Sequence, residues 1–235
     1  MFSMIDLNIK GSSYDNNLIL AMQASCYGWK HINFSYNHNE YEEALSFKND
    51  LKDNLKDFID IDYTLNIKSN NPSEIRKIIR RYRNKSSCIS VLGGNLKVNR
   101  NCLENIQVDV LSKPYFKRYD SGLNHVLAKE AKENNVAIEI VFSDVLKSYL
   151  AYRSKILANF REVYRLYRKY EFPLILSSGA ESVFDLRTVQ DFKAVFAQTG
   201  LSDLDVENSF KTAANILEFN NDRKNMILSG VRVVS

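Results

Sequence analysis

Residues 61–92, IDYTLNIKSNNPSEIRKIIRRYRNKSSCISVL, contain a pattern that repeats along the chain and decides the fold. Ile61 to Ile67 is a short run rich in β-branched and aromatic residues, which favours a strand. Asn71 and Pro72 are start signals for a helix, an N-cap followed by a residue whose fixed φ suits the first turn. Ile75, Ile78, Ile79 and Tyr82 then recur at helical spacing, one apolar stripe in an otherwise charged segment. Cys88 to Leu92 returns to a strand pattern. A strand, a helix and a second strand in this order demand parallel pairing with a right-handed crossover.

The same rhythm runs in both directions from this unit. Strand-like runs occupy Met4 to Ile9, His31 to Tyr36, Val108 to Leu111, Val136 to Phe142 and Leu174 to Ser177, seven in all with the two above. Helical spacing separates them, as at Tyr41, Leu45, Leu51 and Leu55. Seven parallel strands with outer helices predict an α/β fold of TIM-barrel-like, distorted form, with a doubly wound open sheet as the competing arrangement. Ser143 and Asp144 are placed to cap a helix, and Pro173 to stop the long basic helix before it. Thr188 to Gly200 and Asp203 to Leu217 read as two further helices, the second capped by Ser202, packed outside the barrel.

With 235 residues and 45% apolar content, the chain can enclose one large core, so a single domain over 1–235 is expected. No run approaches the roughly 20 apolar residues that span a bilayer, and the expected location is cytoplasmic, away from membranes. Three cysteines, Cys26, Cys88 and Cys102, suit buried reduced thiols better than a disulfide framework or a zinc ribbon.

The net charge of +4 is unevenly spread. Between Arg76 and Arg118 stand eleven basic residues against Glu104 and Asp109, so the rest of the chain is net acidic. From Lys147 to Lys169 seven basic residues face Glu162 alone. Clusters of this kind neutralise phosphates and give salt-dependent affinity for nucleic acid, and they also form ordinary solvated helix faces.

Catalytic residues of such barrels sit at the carboxyl ends of strands. His31, His38 and His125 are the chain's only histidines and form no His-x-His pair, which argues against a dinuclear metal hydrolase and leaves no metal or catalytic residue to assign. Asp6, Asn8, Asp62, Asp109, Glu139 and Asp144 lie in or beside strands and could hold a divalent ion through oxygen alone, though their spacing is scattered. His125 suits a hydrogen-bond network better than acid-base work. Gly93 and Gly94 lack the spacing and the Lys-Ser/Thr of a phosphate-binding P-loop and suit a tight turn.

The most distinctive run is Lys117, Arg118, Tyr119, Asp120, Ser121, Gly122, Leu123, Asn124 and His125, ahead of the strand from Val136. Further on come Arg168, Lys169 and Tyr170, then Ser177, Ser178, Gly179, Ala180 and Glu181, then Asp185, Leu186 and Arg187. Asp6, Leu7 and Asn8 near one end, and Leu201, Ser202, Asn215, Ile216, Leu217, Arg223 and Lys224 near the other, complete the set. Together these blocks resemble the ribonuclease P protein component 3 family, over nearly the whole chain but weakly between about Ile9 and Lys85.

The resemblance implies a barrel-like, RNA-binding subunit of a ribonucleoprotein endonuclease, a hydrolase that removes 5′ leaders from precursor tRNA. It implies the partners ribonuclease P RNA, precursor tRNA and ribonuclease P protein component 2, paired as a dimer of heterodimers. The catalytic component would be the RNA, with Mg²⁺ held there and no cofactor on this chain.

For RNA contact the candidates are Lys117 and Arg118, in the loop after the fifth strand and before a helix expected from about Leu123. Arg187 would sit at the same rim or pair with Asp185 or Glu181. Arg80 and Arg81 would reach RNA or complement a helix dipole. Arg165 shares a helix face with Arg161 and Arg168, opposite Ile156, Phe160, Val163 and Tyr167, and would serve RNA or solvent. Asp120 would fix Arg118 or cap the helix, with Ser121 and Gly122 shaping its entry; Asn124, His125 and Gly179 belong to the motifs structurally. The other class of function kept open is a stand-alone metal-dependent barrel phosphoesterase or hydrolase with oxygen ligands near Asp6, Asp109 and Glu139.

Overall fold

The computed structural model describes residues 4–223, 226–228 and 231–232. Seven parallel strands follow one another in the sheet in chain order: β1 (Ile5–Lys10), β2 (His31–Asn37), β3 (Asp60–Ile67), β4 (Cys88–Leu92), β5 (Val110–Ser112), β6 (Ala137–Val141) and β7 (Leu174–Ser177). All seven strand patterns in the sequence are thus realised. Sequential order excludes the doubly wound alternative, whose strand order reverses midway.

The ring is nearly closed. Between β7 and β1 the seam is bridged by the Lys10 N–H donating to the Ala180 carbonyl at 2.8 Å and the Ser178 N–H donating to Asp6 Oδ2 at 3.1 Å. A bulge in β1 between Asp6 and Ile9 accompanies this junction.

Around the sheet lie α1 (Tyr14–Cys26), α2 (Tyr41–Ser46), α3 (Lys48–Leu55), α4 (Pro72–Tyr82), α5 (Leu96–Leu103), α6 (His125–Glu133), α7 (Phe142–Leu146), α8 (Leu150–Tyr170), α9 (Val189–Ala197) and α10 (Asp203–Arg223). The small antiparallel pair β8 (Met226–Leu228) and β9 (Val231–Arg232) was not legible in the sequence. Lys224 lies outside the described residues.

Helix α4 shows why the pattern folds as it does. Asn71 caps it by accepting from the Ser73 N–H at 2.9 Å, Pro72 opens it, and Ile75, Ile78, Ile79 and Tyr82 are buried. Each such side chain contributes roughly 1.5–3 kcal/mol on leaving water. Odd and even strand positions divide accordingly. Leu65, Ile67, Ile89, Val91, Ile138 and Ile140 join one core cluster between sheet and helices. The alternate positions Asn66, Ser90, Ser112, Glu139 and Ser177 face the barrel axis, which is therefore polar over much of its height.

Three sequence expectations need correction here. Helix α10 does not merely pack outside the barrel: its Ala213 and Ile216 join Ile5, Leu7, Cys88, Val110, Ala137 and Ile175 in a second apolar cluster that closes the amino-terminal end. Asp144 caps nothing, because Lys113 Nζ and the Tyr115 hydroxyl both donate to it, at 2.7 and 2.9 Å; α7 and α8 start without side-chain caps. Cys26 is an exposed thiol, whereas Cys88 and Cys102 are buried. Two boundaries stand as read: α8 stops at Tyr170 ahead of Pro173, and Ser202 caps α10 by accepting from the Asp205 N–H at 3.2 Å. By contrast, α10 runs on past the expected Leu217 to Arg223, and α9 is shorter than the expected Thr188 to Gly200.

Candidate nucleic-acid interface

At the carboxyl ends of β3, β4 and β5 three loops surround an open cleft of about 950 Å³, lined by Lys68, Lys97, Lys117 and Arg118, with Gly93, Gly94, Asn95 and Tyr119 among its walls. Four cations border it against Asp120 alone. The cleft is built on Asn99, a buried residue on the inner face of α5. Its Oδ1 accepts from the Gly94 N–H at 2.9 Å, and its Nδ2 donates to the carbonyls of Pro114 and Gly122 at 3.0 and 2.9 Å. One side chain thereby ties the β4 loop to both ends of the β5 loop.

Gly122 must be glycine at this junction, since its φ is +69° and a Cβ would meet the Pro114 carbonyl oxygen at 2.0 Å. Lys117 also lies in the left-handed region, at φ +55°, with its ammonium 5.4 Å from the centre of the Phe116 ring. The Gly93 and Gly94 N–H groups are occupied, donating to the Ser112 carbonyl and to Asn99, so this pair makes a turn and not a phosphate cradle.

Asp120 fixes Arg118. Its carboxylate takes two bonds from the guanidinium, at 2.6 and 2.9 Å, and a third from the Gly122 N–H at 3.0 Å. The arginine pairing holds the Asp120 carboxyl below its ordinary range. A further guanidinium bond at 3.1 Å reaches the Gly94 carbonyl, so Arg118 is pre-oriented across the cleft. Ser121 is fully buried, and its N–H donates to Glu162 of α8 at 3.1 Å. The helix after the loop begins at His125, two residues later than expected, because Asn124 accepts from the N–H groups of Val126 and Leu127 and is the cap. His125 is exposed on the first turn and, among the described residues, its ring joins no hydrogen-bond network, contrary to the reading of the sequence.

The six cationic candidates are not brought together. Lys117 and Arg118 share the cleft, but Arg80 and Arg81 end α4, which runs back from the strands' carboxyl ends to their amino ends. Arg81 lies over the Tyr82 ring at 5.1 Å and 3.9 Å from Glu42. Arg165 is exposed on α8 beside Glu162. Arg187 pairs with neither Asp185 nor Glu181; both carboxylates engage Lys147, and the Arg187 guanidinium donates instead to the carbonyls of Phe184 and Leu186. Its own carbonyl accepts from the Trp29 indole at 3.0 Å, which draws this segment toward the turn that opens β2. Gly179, at φ +60°, packs its α-carbon where a Cβ would strike Val141.

The carboxylates considered for a metal are committed elsewhere. Asp109 precedes β5 at the amino-terminal end, the wrong end for barrel catalysis. It forms a buried two-bond pair with Arg83, at 2.5 and 2.7 Å, and accepts from the Ile89 N–H at 2.7 Å. Asp6 accepts from the Asn8 and Ser178 N–H groups, and burial pushes its carboxyl up to about 6. Glu139 takes bonds from Asn8 and Ser177 and is likewise pushed up by burial. Asp62 is engaged by Lys48 and Lys52. Among the described residues no group of three or more His, Cys, Asp or Glu side chains is arranged to hold a metal ion.

Fold and site together define a TIM-barrel-like protein with a basic cleft at its mouth and no assembled set of catalytic side chains among the described residues. The family model described as RNase P subunit p30 matches residues 3–225, and the chain belongs to that family. The protein is thus a protein subunit of ribonuclease P.

Among curated relatives, ribonuclease P protein component 3 of Methanothermobacter thermautotrophicus is 39% identical, with 100% of this chain and 96% of that protein covered. Its counterpart in Methanococcus maripaludis is 33% identical over 88% of this chain and 90% of that protein. A chain in the cryo-EM structure of archaeal ribonuclease P with mature tRNA superposes with a TM-score of 0.80 at 28% identity, covering 98% of each. A histidinol phosphate phosphatase from Lactococcus lactis, at 11% identity, 93% and 94% coverage and a TM-score of 0.55, shares the barrel fold alone.

Proposed function

We propose that the chain supports a catalytic RNA by holding its phosphates across the barrel mouth, while that RNA, with Mg²⁺ bound to it, removes 5′ leaders from precursor tRNA. The observation that carries this reading is Arg118, held across the cleft by Asp120 and the Gly94 carbonyl beside the exposed Lys117, in a cleft bordered by four cations and one carboxylate. Phosphodiester hydrolysis needs precisely held metal ions; where RNA supplies them, a protein need only offset phosphate repulsion and keep its own shape. Ribonuclease P protein component 2 is the protein partner, two such pairs forming the assembly, in the cytoplasm. Among the described residues no helix is long and apolar enough to cross a membrane.

The test is the double variant Lys117→Ala, Arg118→Ala in reconstituted ribonuclease P. Cleavage of precursor tRNA should fall most at high salt or low magnesium, where charge neutralisation limits assembly. Unchanged cleavage in both conditions would overturn the role given to the cleft. Trimming of precursor tRNA by the isolated chain, with no RNA component present, would overturn the division of labour itself.

A further inference from the structure

On the α8 side of the cleft the surface becomes aromatic without losing its positive charge. Tyr119, next to Arg118, is 93% exposed. Lys155 of α8 places its ammonium 3.6 Å from the centre of the Tyr119 ring and 5.9 Å from that of Tyr152, which is 54% exposed. One turn earlier stand Tyr149 and Leu150, 73% and 89% exposed. The Arg153 guanidinium lies 5.6 Å from the centre of the Tyr149 ring, and its Nε donates to the Ser148 carbonyl at 2.8 Å. Leu150 adopts φ +46°, a conformation that a non-glycine residue keeps only where its surroundings hold it.

Exposed apolar residues scattered singly need no explanation, but Tyr119 and Tyr152 share the Lys155 ammonium, and Tyr149, with its own Arg153, precedes Tyr152 by one helical turn. From Lys147 to Arg161 the chain carries four basic side chains and no acidic one. The lysine covers one face of Tyr119 and leaves the other to solvent. A flat ring beside an ammonium group matches both halves of a nucleotide: the base stacks on the ring and the phosphate meets the cation. Duplex RNA has no free base faces to offer, so the fit is to unpaired nucleotides.

We propose that Tyr119, Tyr149 and Tyr152, with Lys155 and Arg153, form a stacking platform for an unpaired segment of the same RNA whose phosphates cross the cleft. This rests on the RNA-support reading and extends it from charge neutralisation to the recognition of single strands. The platform begins at Tyr119, where the cleft wall ends, so one strand can run from one onto the other.

The test uses reconstituted ribonuclease P and measures the affinity of its protein part for the RNA subunit as salt is varied. Tyr119→Ala with Tyr152→Ala should weaken binding about tenfold for each base that loses its stack, with an unchanged salt slope. Tyr119→Phe with Tyr152→Phe should bind within about twofold of the parent, since the ring and not the hydroxyl carries the stack. Lys155→Gln should reduce the salt slope by about 0.7, one phosphate contact on a single strand. Single-stranded oligouridylate should compete with the RNA subunit, and a duplex of equal length should not.

Parent-like affinity in the double alanine variant, with Lys117→Ala and Arg118→Ala still weakening binding, overturns the platform and leaves the cleft standing. If neither set weakens binding, the RNA reading of the cleft fails as well. If the double alanine variant binds RNA normally but no longer co-purifies with the other protein subunits, the patch is a protein interface and the proposal is wrong. Tyr119 and Tyr152 are exposed and Lys155 is half-buried at the surface of α8, so an unchanged urea midpoint in each variant separates lost binding from lost folding.

Discussion

Arg83 and Arg118 come from one basic stretch and end in opposite environments, and the difference lies in what each meets. Arg83 points under the barrel, where its side chain is 8% exposed and bonds to Asp109 and, at 2.6 Å, to Asn220 of α10. It is a structural residue, and nothing in the local sequence separates it from Arg80 and Arg81, because its acceptors lie 26 and 137 residues away. The Asp109 carboxylate, a candidate metal ligand by sequence, is the counter-ion of that arginine. Removing it should therefore act on stability. Asp109→Ala leaves the Ile89 N–H without its acceptor and the buried guanidinium without its counter-ion, with Asn220 as its remaining side-chain acceptor, a loss of about 3–5 kcal/mol. Urea unfolding of the isolated chain measures this; a midpoint within error of the parent would show that Arg83 finds another partner.

The strands and most helices were legible because their signals are local: β-branched runs, a 3.6-residue apolar period, Asn71 and Pro72 at a helix start. Element contacts were less so. The late start of α6 follows from Asn124 outcompeting Leu123 as the boundary, and the closure of the barrel floor by α10 depends on Ala213 and Ile216 meeting strand residues from the other end of the chain. Asn99 was missed for the same reason, although one signal was present: a polar residue beside Val98, Cys102 and Leu103 on the buried face of α5. Such a residue has to satisfy its amide somewhere, and here it joins three loop segments. Asn99→Ala should strand the Pro114 and Gly122 carbonyls and the Gly94 N–H, destabilising the chain by about 2 kcal/mol or more. Faster hydrogen exchange confined to residues 93–122 would mark the cleft loops as the part released, whereas uniform acceleration would refute their common anchorage.

Across the whole molecule, a barrel whose axis carries Asn66, Ser90, Ser112, Glu139 and Ser177 retains polar groups where many barrels stack branched aliphatic ones. Its apolar floor lies lower, against α10. This arrangement couples folding to pH through Asp6 at the seam. Burial raises that carboxyl from 3.8 to about 6, so between about pH 4 and pH 6 the folded chain binds more protons than the unfolded one. Stability then falls as pH rises through this window; the penalty is absent below about pH 4 and complete above about pH 6, on the order of 3 kcal/mol. Glu139, also raised by burial, adds in the same direction. Asp6→Asn keeps an acceptor for the seam and removes the charge, so the loss of stability between pH 4.5 and pH 7.5 should shrink by a kcal/mol or more in the variant. Urea midpoints for both chains at the two pH values decide the matter: parallel behaviour would mean that the seam carboxylate is already hydrated or paired in the folded barrel, and that its burial does not set the pH response.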